Sequence, residues 1–502
     1  MSYNNENTEQ KSNNSEFSNK SLPPYNDALT QINQLTTDSP DIIKKRVVFK
    51  DGKEGYVIYL KGLVNLELMF QVFISPILSL NSADLNNKDN VDKLPIPMVT
   101  YYYDVAKIVD EIFHGGTILI ADSVNLAIGV WLKTPVKRDI SEPIGEKSIK
   151  GPHEGFIEDI STNISLLRRN IKSRRLKFKV IEVGEITKQN VYVVYIDGIA
   201  NGEVLNNLLN RIRNINIDAL IDTGYIEQLV TDFPHSTLPQ YQSTERTDKV
   251  IASLMEGKLA IMLDGTPTVS IVPVSFSAFF QAPDDYNSSW IAGFFIRLLR
   301  GFALILALFL PALYIAIVTF HYYAIPLDLL VPLSKGRARV PFTPIMEALF
   351  MEITIELLRE AATRLPTYIG TTIGVVGGLV IGQAAVEAGI VGQLLLIVVA
   401  VTAIASYVIP NTDMALAIRL TRFAFMLLAG VFGMMGIIIG SSIFLAHLLV
   451  LESLGQPYFQ PITPFKMKDL KDSFIRIPMK NLKSRPDIAK PSDVKRGKKG
   501  GK

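Results

Sequence analysis

The spacing of apolar positions along the chain changes twice. Before about residue 41 Asn, Ser, Gln, Thr and Lys dominate, and no apolar run of the roughly 7–15 residues of a secretion signal occurs. Such a segment buries too little apolar area to offset the entropy of ordering, which predicts a disordered polar tail over 1–41. With no secretion signal, the module that follows is expected to stay cytoplasmic. From Ile42 short apolar strands alternate with helical stretches, the pattern of α/β layering. Past residue 286 the apolar positions become continuous, and Phe302 to Phe320 carries no charge for nineteen residues. A helix needs about twenty apolar residues to cross the hydrocarbon core of a bilayer. A soluble helix apolar on every face would have to sit deep in a large core, and several more such segments follow here. The pattern therefore predicts an α/β soluble N-terminal module of two similar subdomains followed by an α-helical transmembrane bundle.

The two subdomains are read from a repeat. Tyr56-Val-Ile-Tyr-Leu-Lys-Gly62 returns as Tyr192-Val-Val-Tyr-Ile-Asp-Gly198, an offset of 136 residues. Each copy predicts a strand ending at Gly, then a helix. The second half of the unit returns at an offset of 142, Gly115-Gly-Thr-Ile-Leu-Ile-Ala-Asp122 matching Gly257-Lys-Leu-Ala-Ile-Met-Leu-Asp264. The expected layout is a first α/β subdomain at 42–147, a connector at 148–175, a second α/β subdomain at 176–285, a transmembrane helical domain at 286–455 and a basic cytoplasmic tail at 456–502. Two lobes of this kind create a cleft, where ligands often bind; two packed lobes without a ligand are the plainer alternative. In the connector, Thr162 to Ile171 reads as a basic amphipathic helix.

The membrane half divides into five pieces. The first span covers about Ile291 to His321, with Pro311 as an expected kink. The second, Pro341 to Arg364, carries Glu347, Glu352, Glu356, Arg359, Glu360 and Arg364, too much charge for a simple span. Glu352, Glu356 and Glu360 share one helical face. That face belongs either to an interfacial amphipathic helix or to a helix lining a wet cavity. The third piece contains Gly370, Gly374, Gly378 and Gly382, a G-x-x-x-G ladder suited to close helix packing. Val375, Val376 and Leu379 lie off that stripe, toward lipid or a dry constriction, and Gln383 marks the polar end. The fourth piece runs from Gly392 to Ile409 and stops at Pro410-Asn411. The last, about Met414 to Leu451, is longer than one crossing needs, and Gly430, Gly433, Gly436 and Gly440 bend or divide it. Arg419 and Arg422 at its start read as an interfacial anchor. Four crossings, or six, would keep both ends on one side.

Charge and chemistry narrow the function. The net charge is only +3, yet Lys466 to Lys502 holds thirteen Lys and Arg against four Asp. A basic tail behind a membrane bundle marks the cytoplasmic face and meets anionic lipid rather than nucleic acid. The chain has no cysteine, which excludes disulfides, thiolate metal sites and cysteine nucleophiles. Its five His show no metal-ligand spacing, and no phosphate-loop, dinucleotide, nucleophile-elbow or zinc-protease motif is present. No catalytic residue, cofactor or metal is expected.

A resemblance then becomes visible. Pro341-Phe-Thr-Pro-Ile-Met-Glu-Ala-Leu-Phe-Met-Glu352, Glu356-Leu-Leu-Arg-Glu-Ala361, Ile381-Gly-Gln-Ala-Ala-Val-Glu-Ala-Gly389 and Thr402-Ala-Ile-Ala-Ser-Tyr-Val-Ile-Pro410 resemble the A subunits of GerA-type spore germinant receptors. So do Gly151-Pro-His-Glu-Gly-Phe156, Asn163-Ile-Ser-Leu-Leu-Arg-Arg169, Gly224-Tyr-Ile-Glu-Gln228 and Asp264-Gly-Thr-Pro267. The similarity runs in order from about Ile42 to Pro464; His153 departs from it, standing where the family commonly has Arg. The resemblance implies a multi-pass protein of the spore inner membrane that works with a permease-like B subunit and a lipoprotein C subunit. It implies that the B subunit recognises the nutrient and that the A subunit oligomerises into an ion conduit. In a ring of protomers Glu352, Glu356 and Glu360 would favour cations, with Val375, Val376, Leu379 and Gln383 as further pore-lining candidates. The alternatives are a non-conducting scaffold that relays permease occupancy to downstream release channels, and a secondary transporter. A transporter would show its repeat in the membrane half, whereas the repeat here lies in the soluble half.

Overall fold

A computed structural model describes residues 21–96, 98–132, 146, 150–364, 378, 380–473 and 475–497. They form two compact units, one of residues up to 147 with 153–226 and 243–271, the other of 148–152, 227–242 and 272 onward.

The first unit holds two five-stranded sheets. Strands β1 (Ile42–Val48), β2 (Glu54–Leu60), β3 (Thr100–Tyr102), β4 (Thr117–Ala121) and β5 (Ala127–Val130) form one sheet, in the order β1-β2-β4-β5-β3. Strands β6 (Leu176–Val183), β7 (Gln189–Ile196), β8 (Gln242–Thr244), β9 (Leu259–Leu263) and β10 (Val269–Val272) form the other, in the order β6-β7-β9-β10-β8. The second order is the first repeated. The pairing repeats too: Tyr56 lies opposite Ile120 and Tyr192 opposite Met262, all antiparallel. These pairs are related by the two sequence offsets, so the register is duplicated along with the motif.

The reason for the local structure is shared between the copies. After β2 and β7 the chain turns at Gly62 and Gly198, with φ of +86° and +72°, a region that favours glycine. At Gly62 a Cβ would also stand 2.0 Å from Ser165 Oγ. Asn65 Oδ1 then accepts hydrogen bonds from the Glu67 and Leu68 amides, and Asn201 Oδ1 from those of Glu203 and Val204. These caps start helix α2 (Leu66–Leu78) and, in the second copy, α5 (Gly202–Arg213), which α6 (Thr223–Val230) and α7 (Thr247–Met255) follow in the chain. Between them lie α3 (Val105–Phe113) and α4 (Ile160–Asn170).

Alternation along the strands buries both faces of the first sheet. Val57, Tyr59, Leu119 and Ile128 pack with Met69, Phe73 and Ile77 of α2. Ile58, Leu60, Ile118 and Ile120 pack with Ile108 and Ile112 of α3 on the other side. The latter face corrects one expectation. Within the segment whose polar composition predicted a disordered tail, Tyr25–Leu35 forms α1. Its Ala28 and Ile32, one turn apart, are fully buried in that cluster together with Leu22. A few apolar residues at helical spacing suffice when a sheet face is waiting for them.

Arg168 of α4 joins the two sheets. Its Nε and Nη2 donate to both Asp41 carboxylate oxygens at 2.7 and 3.0 Å, and Nη1 donates to the Leu176 carbonyl at 2.9 Å. The guanidinium lies 4.9 Å from the ring centres of Phe113 and Phe178. The connector helix is therefore a fully buried keystone at this position, not a solvated basic face.

In the second unit, helices α8 (Trp290–Phe320), α10 (Pro344–Arg364), α11 (Gln393–Tyr407), α12 (Thr412–Phe432) and α13 (Met434–Val450) share one apolar core, and α9 (Leu327–Arg337) lies outside it. Here α8 and α12 are long and apolar enough to cross a membrane, while α11 and α13 are shorter apolar helices. The expected long final segment divides at Gly433, whose φ is +60° and whose Cβ position lies 3.0 Å from the Phe320 ring. Pro311 is buried within the continuous α8.

Candidate functional site

Helix α10 is turned inside out relative to a soluble helix. Met346, Phe350, Ile353 and Leu357 are exposed, about half or more of each, whereas Glu347 and Glu352 are only 1% exposed. These apolar residues recur at helical spacing, so they form one outward stripe and the carboxylates face inward. A helix surrounded by water would reverse that arrangement.

The inward face meets α12. Glu352 lies 2.9 Å from Arg422 Nη2, with both side chains almost completely enclosed. Glu356, one turn on, lies 3.0 Å from Arg359, 3.4 Å from Arg422 and 3.5 Å from Arg419. Arg359 also donates to Ser406 Oγ at 3.2 Å and Tyr407 Oη at 3.3 Å at the end of α11, and its guanidinium sits 4.8 Å from the Tyr407 ring. The cluster is built by spacing on two helices. Glu352 and Glu356 are four apart, Arg419 and Arg422 three apart, so each pair shares a face. Two carboxylates face three guanidinium groups, and a buried charge of this kind persists only when paired.

The remaining acidic residues have separate roles. Glu360 is exposed beside Arg364 at 2.6 Å. Glu347 accepts a hydrogen bond from the Gly392 amide at 3.0 Å, at the start of α11, and lies 3.1 Å from Arg337. The anticipated stripe is thus distributed: Glu352 and Glu356 come together, Glu360 does not join them. Gln383 is exposed on the helical backbone at 380–387. Gly382 is buried, its Cβ position 3.3 Å from Leu396, while Gly378 is exposed with open space at that position. Gly370, Gly374, Val375, Val376 and Leu379 lie outside the described residues.

From their place at the start of the last apolar segment, Arg419 and Arg422 are expected to form an interfacial anchor. The structure buries Arg422 instead, because the Glu352 and Glu356 carboxylates face it across the helix pair. Opposite charges at matched helical spacing on two apolar segments were the available signal. A second cluster was missed altogether. Arg297 and Arg300 of α8 reach Asp285 at 3.1 and 2.7 Å, and Arg297 also lies 3.3 Å from Asp472. Arg476 is buried 4.4 Å from the Tyr286 ring. The basic tail therefore contributes buried groups to this unit. Among the described residues no group of three or more His, Asp or Glu is arranged to hold a metal ion.

Comparison with known proteins places this geometry in a lineage. Residues 30–488 match the family model described as Bacillus/Clostridium GerA spore germination protein. Spore germination protein KA of Bacillus subtilis (strain 168) is 38% identical over 470 residues, 92% of this chain and 86% of that protein. Spore germination protein A1 of the same organism is 38% identical over 446 residues, 88% and 92% of the two chains. So is a protein of that organism named uncharacterized membrane protein YfkQ, over 479 residues, 95% and 93%. Among solved structures, the N-terminal domain of the A subunit of the Bacillus megaterium spore germinant receptor GerK3 is 28% identical. It covers 51% of this chain and 97% of that one, with a TM-score of 0.41.

Proposed function

The chain belongs to the GerA family of spore germination proteins, and from that premise we propose that it is the A-type membrane subunit of a nutrient-sensing germinant receptor whose copies assemble into a germinant-gated cation conduit. It acts as a receptor component and not as an enzyme. It resides in the spore inner membrane, beside a permease-like subunit that recognises the nutrient and a lipoprotein subunit, with the α/β module and the basic tail on the cytoplasmic side.

The observation that carries this reading is the inside-out polarity of α10. Ionisable groups at membrane depth face one another or a pathway, and here the apolar side of the helix faces out while Glu352 and Glu356 face in. Arg422 Nε and Nη1 and Glu352 Oε1 find no hydrogen-bond partner among the described residues. Water admitted between α10 and α12 would supply partners for them. In the assembled ring Glu352, Glu356 and Glu360, with Val375, Val376, Leu379 and Gln383, line the passage.

One observation favours the non-conducting scaffold as a second reading: the three arginines already neutralise the two inner carboxylates, leaving no surplus negative charge to select cations. Flux decides between them. The chain is reconstituted in liposomes alone and with its permease-like partner, and cation flux is followed on adding nutrient. The conduit predicts nutrient-dependent flux that falls when Glu352, Glu356 and Glu360 are changed together to Gln. A folded oligomer that stays silent with partner and nutrient present supports the scaffold, and flux indifferent to the triple change removes the acidic residues from the path.

A further inference from the structure

A cavity of about 500 Å³ lies between α8, α9 and α11, apart from the charged cluster. Its walls come from Leu313 and Ile317 of α8, Leu329 and Leu333 of α9 and Ile397 of α11, and its polar end carries Tyr314, Arg337 and Gly392. That size and lining, apolar walls with a few polar groups at one end, are those of small-molecule sites, which occupy roughly 300–1,000 Å³. Walls of this kind favour apolar ligands.

The polar end defines what the ligand presents. Arg337 uses Nη1 alone among the described residues, toward Glu347 at 3.1 Å and Tyr314 Oη at 3.3 Å. Its Nε and Nη2 keep donors for a further acceptor. Glu347 cancels the charge of Arg337, so the end offers donated hydrogen bonds without surplus positive charge, which suits a carboxyl or ester oxygen better than a phosphate dianion. The outer wall is a loosely held helix: no residue of α9 is buried, and Leu327, Leu329 and Val331 are all more than half exposed.

We propose that this cavity binds one fatty-acyl chain, its carboxyl or ester oxygen held by Arg337 and its hydrocarbon lying between α8, α9 and α11. The proposal rests on the reading that α8 crosses a bilayer, where acyl chains are the surrounding medium. A free fatty acid and one chain of a phospholipid share this chemistry. Through Arg337 and Glu347, occupancy bears directly on the start of α11.

The test uses the full chain in membranes and a palmitic acid carrying a photoreactive diazirine along its chain. After irradiation, labelled peptides are mapped in the native chain and in Leu329→Trp, which fills the cavity from an exposed position, and in Arg337→Gln. Labelling is expected to concentrate on 310–318 and 393–398, to be lost in Leu329→Trp, and to fall roughly tenfold in Arg337→Gln, the effect of losing a hydrogen bond to a charged group. Unlabelled palmitate as the stronger competitor identifies a free fatty acid; phosphatidylglycerol vesicles as the stronger competitor identify a bilayer lipid. Labelling spread evenly over the outward faces of α8, α12 and α13, unchanged in both variants, overturns the site. A crosslink from position 329 to a second copy that excludes the probe overturns it in favour of a protein interface. Carbonate extraction of the same membranes tests the bilayer reading separately. A chain released by carbonate that still labels at 310–318 and 393–398 keeps the site and loses the membrane assignment.

Discussion

Arg168→Ala should separate the two sheets of the α/β unit more than any other single change there. The native guanidinium makes two hydrogen bonds to Asp41, one to the Leu176 carbonyl, and lies between the Phe113 and Phe178 rings. Truncation leaves the Asp41 carboxylate, itself only 4% exposed, without its partner. Removing one member of a buried pair costs about 3–5 kcal/mol, because the other charge stays desolvated. Losing the ring contacts adds to this. A cost near 4 kcal/mol corresponds to roughly a thousandfold in the local opening equilibrium. The natural reporter is the Phe178 amide, which donates to the Asp38 carbonyl at 2.9 Å across the same junction. Its hydrogen exchange in the full chain should accelerate by about that factor. The double change Arg168→Met with Asp41→Leu removes both charges, and should recover most of the protection. Acceleration of less than about tenfold in Arg168→Ala, a cost near 1.4 kcal/mol, would show that the pair does not hold the sheets together.

Other expectations follow from single contacts. Asn65→Ala and Asn201→Ala each remove a helix cap at equivalent places in the repeat, so each should lower stability by about 1 kcal/mol and by similar amounts in chemical denaturation. Asp51 accepts from the hydroxyl and amide of Ser82 at 2.6 and 3.0 Å, and the hydroxyl bond is the main reason its pKa lies below the ordinary 3.8. A depressed carboxylate contributes stability that is fully present above the unfolded-state value and lost as pH falls through the lower folded value. The stability gap between native chain and Ser82→Ala should therefore be constant near neutrality and narrow only on the acid side of 3.8; a gap that widens on acidification contradicts the assignment. Arg422→Gln leaves Glu352 buried without its nearest cation, and should cost about 3–5 kcal/mol in the thermal unfolding of the detergent-solubilised chain. Equal stability of the two proteins would mean that Arg359 compensates.

What the sequence by itself determined is everything that depends on local spacing. The repeat of Tyr56–Gly62 at Tyr192–Gly198 already contains the duplicated strand, the glycine turn and the capped helix, because strand alternation, positive φ and N-capping act over a few residues. The uncharged run of α8 was legible for the same reason, as was a bend or division of the last segment somewhere among Gly430, Gly433, Gly436 and Gly440; the structure put it at Gly433. Tertiary structure decided which charges meet. Asp41 and Arg168 are separated by 127 residues, and Glu352 and Arg422 by 70; each residue alone reads as a surface charge or an anchor. Helix α1 likewise gains its place only because the first sheet offers Ala28 and Ile32 an unfilled face. Partners far apart in the chain are selected by packing, since a charge enters a low-dielectric interior only where another element delivers its counter-charge.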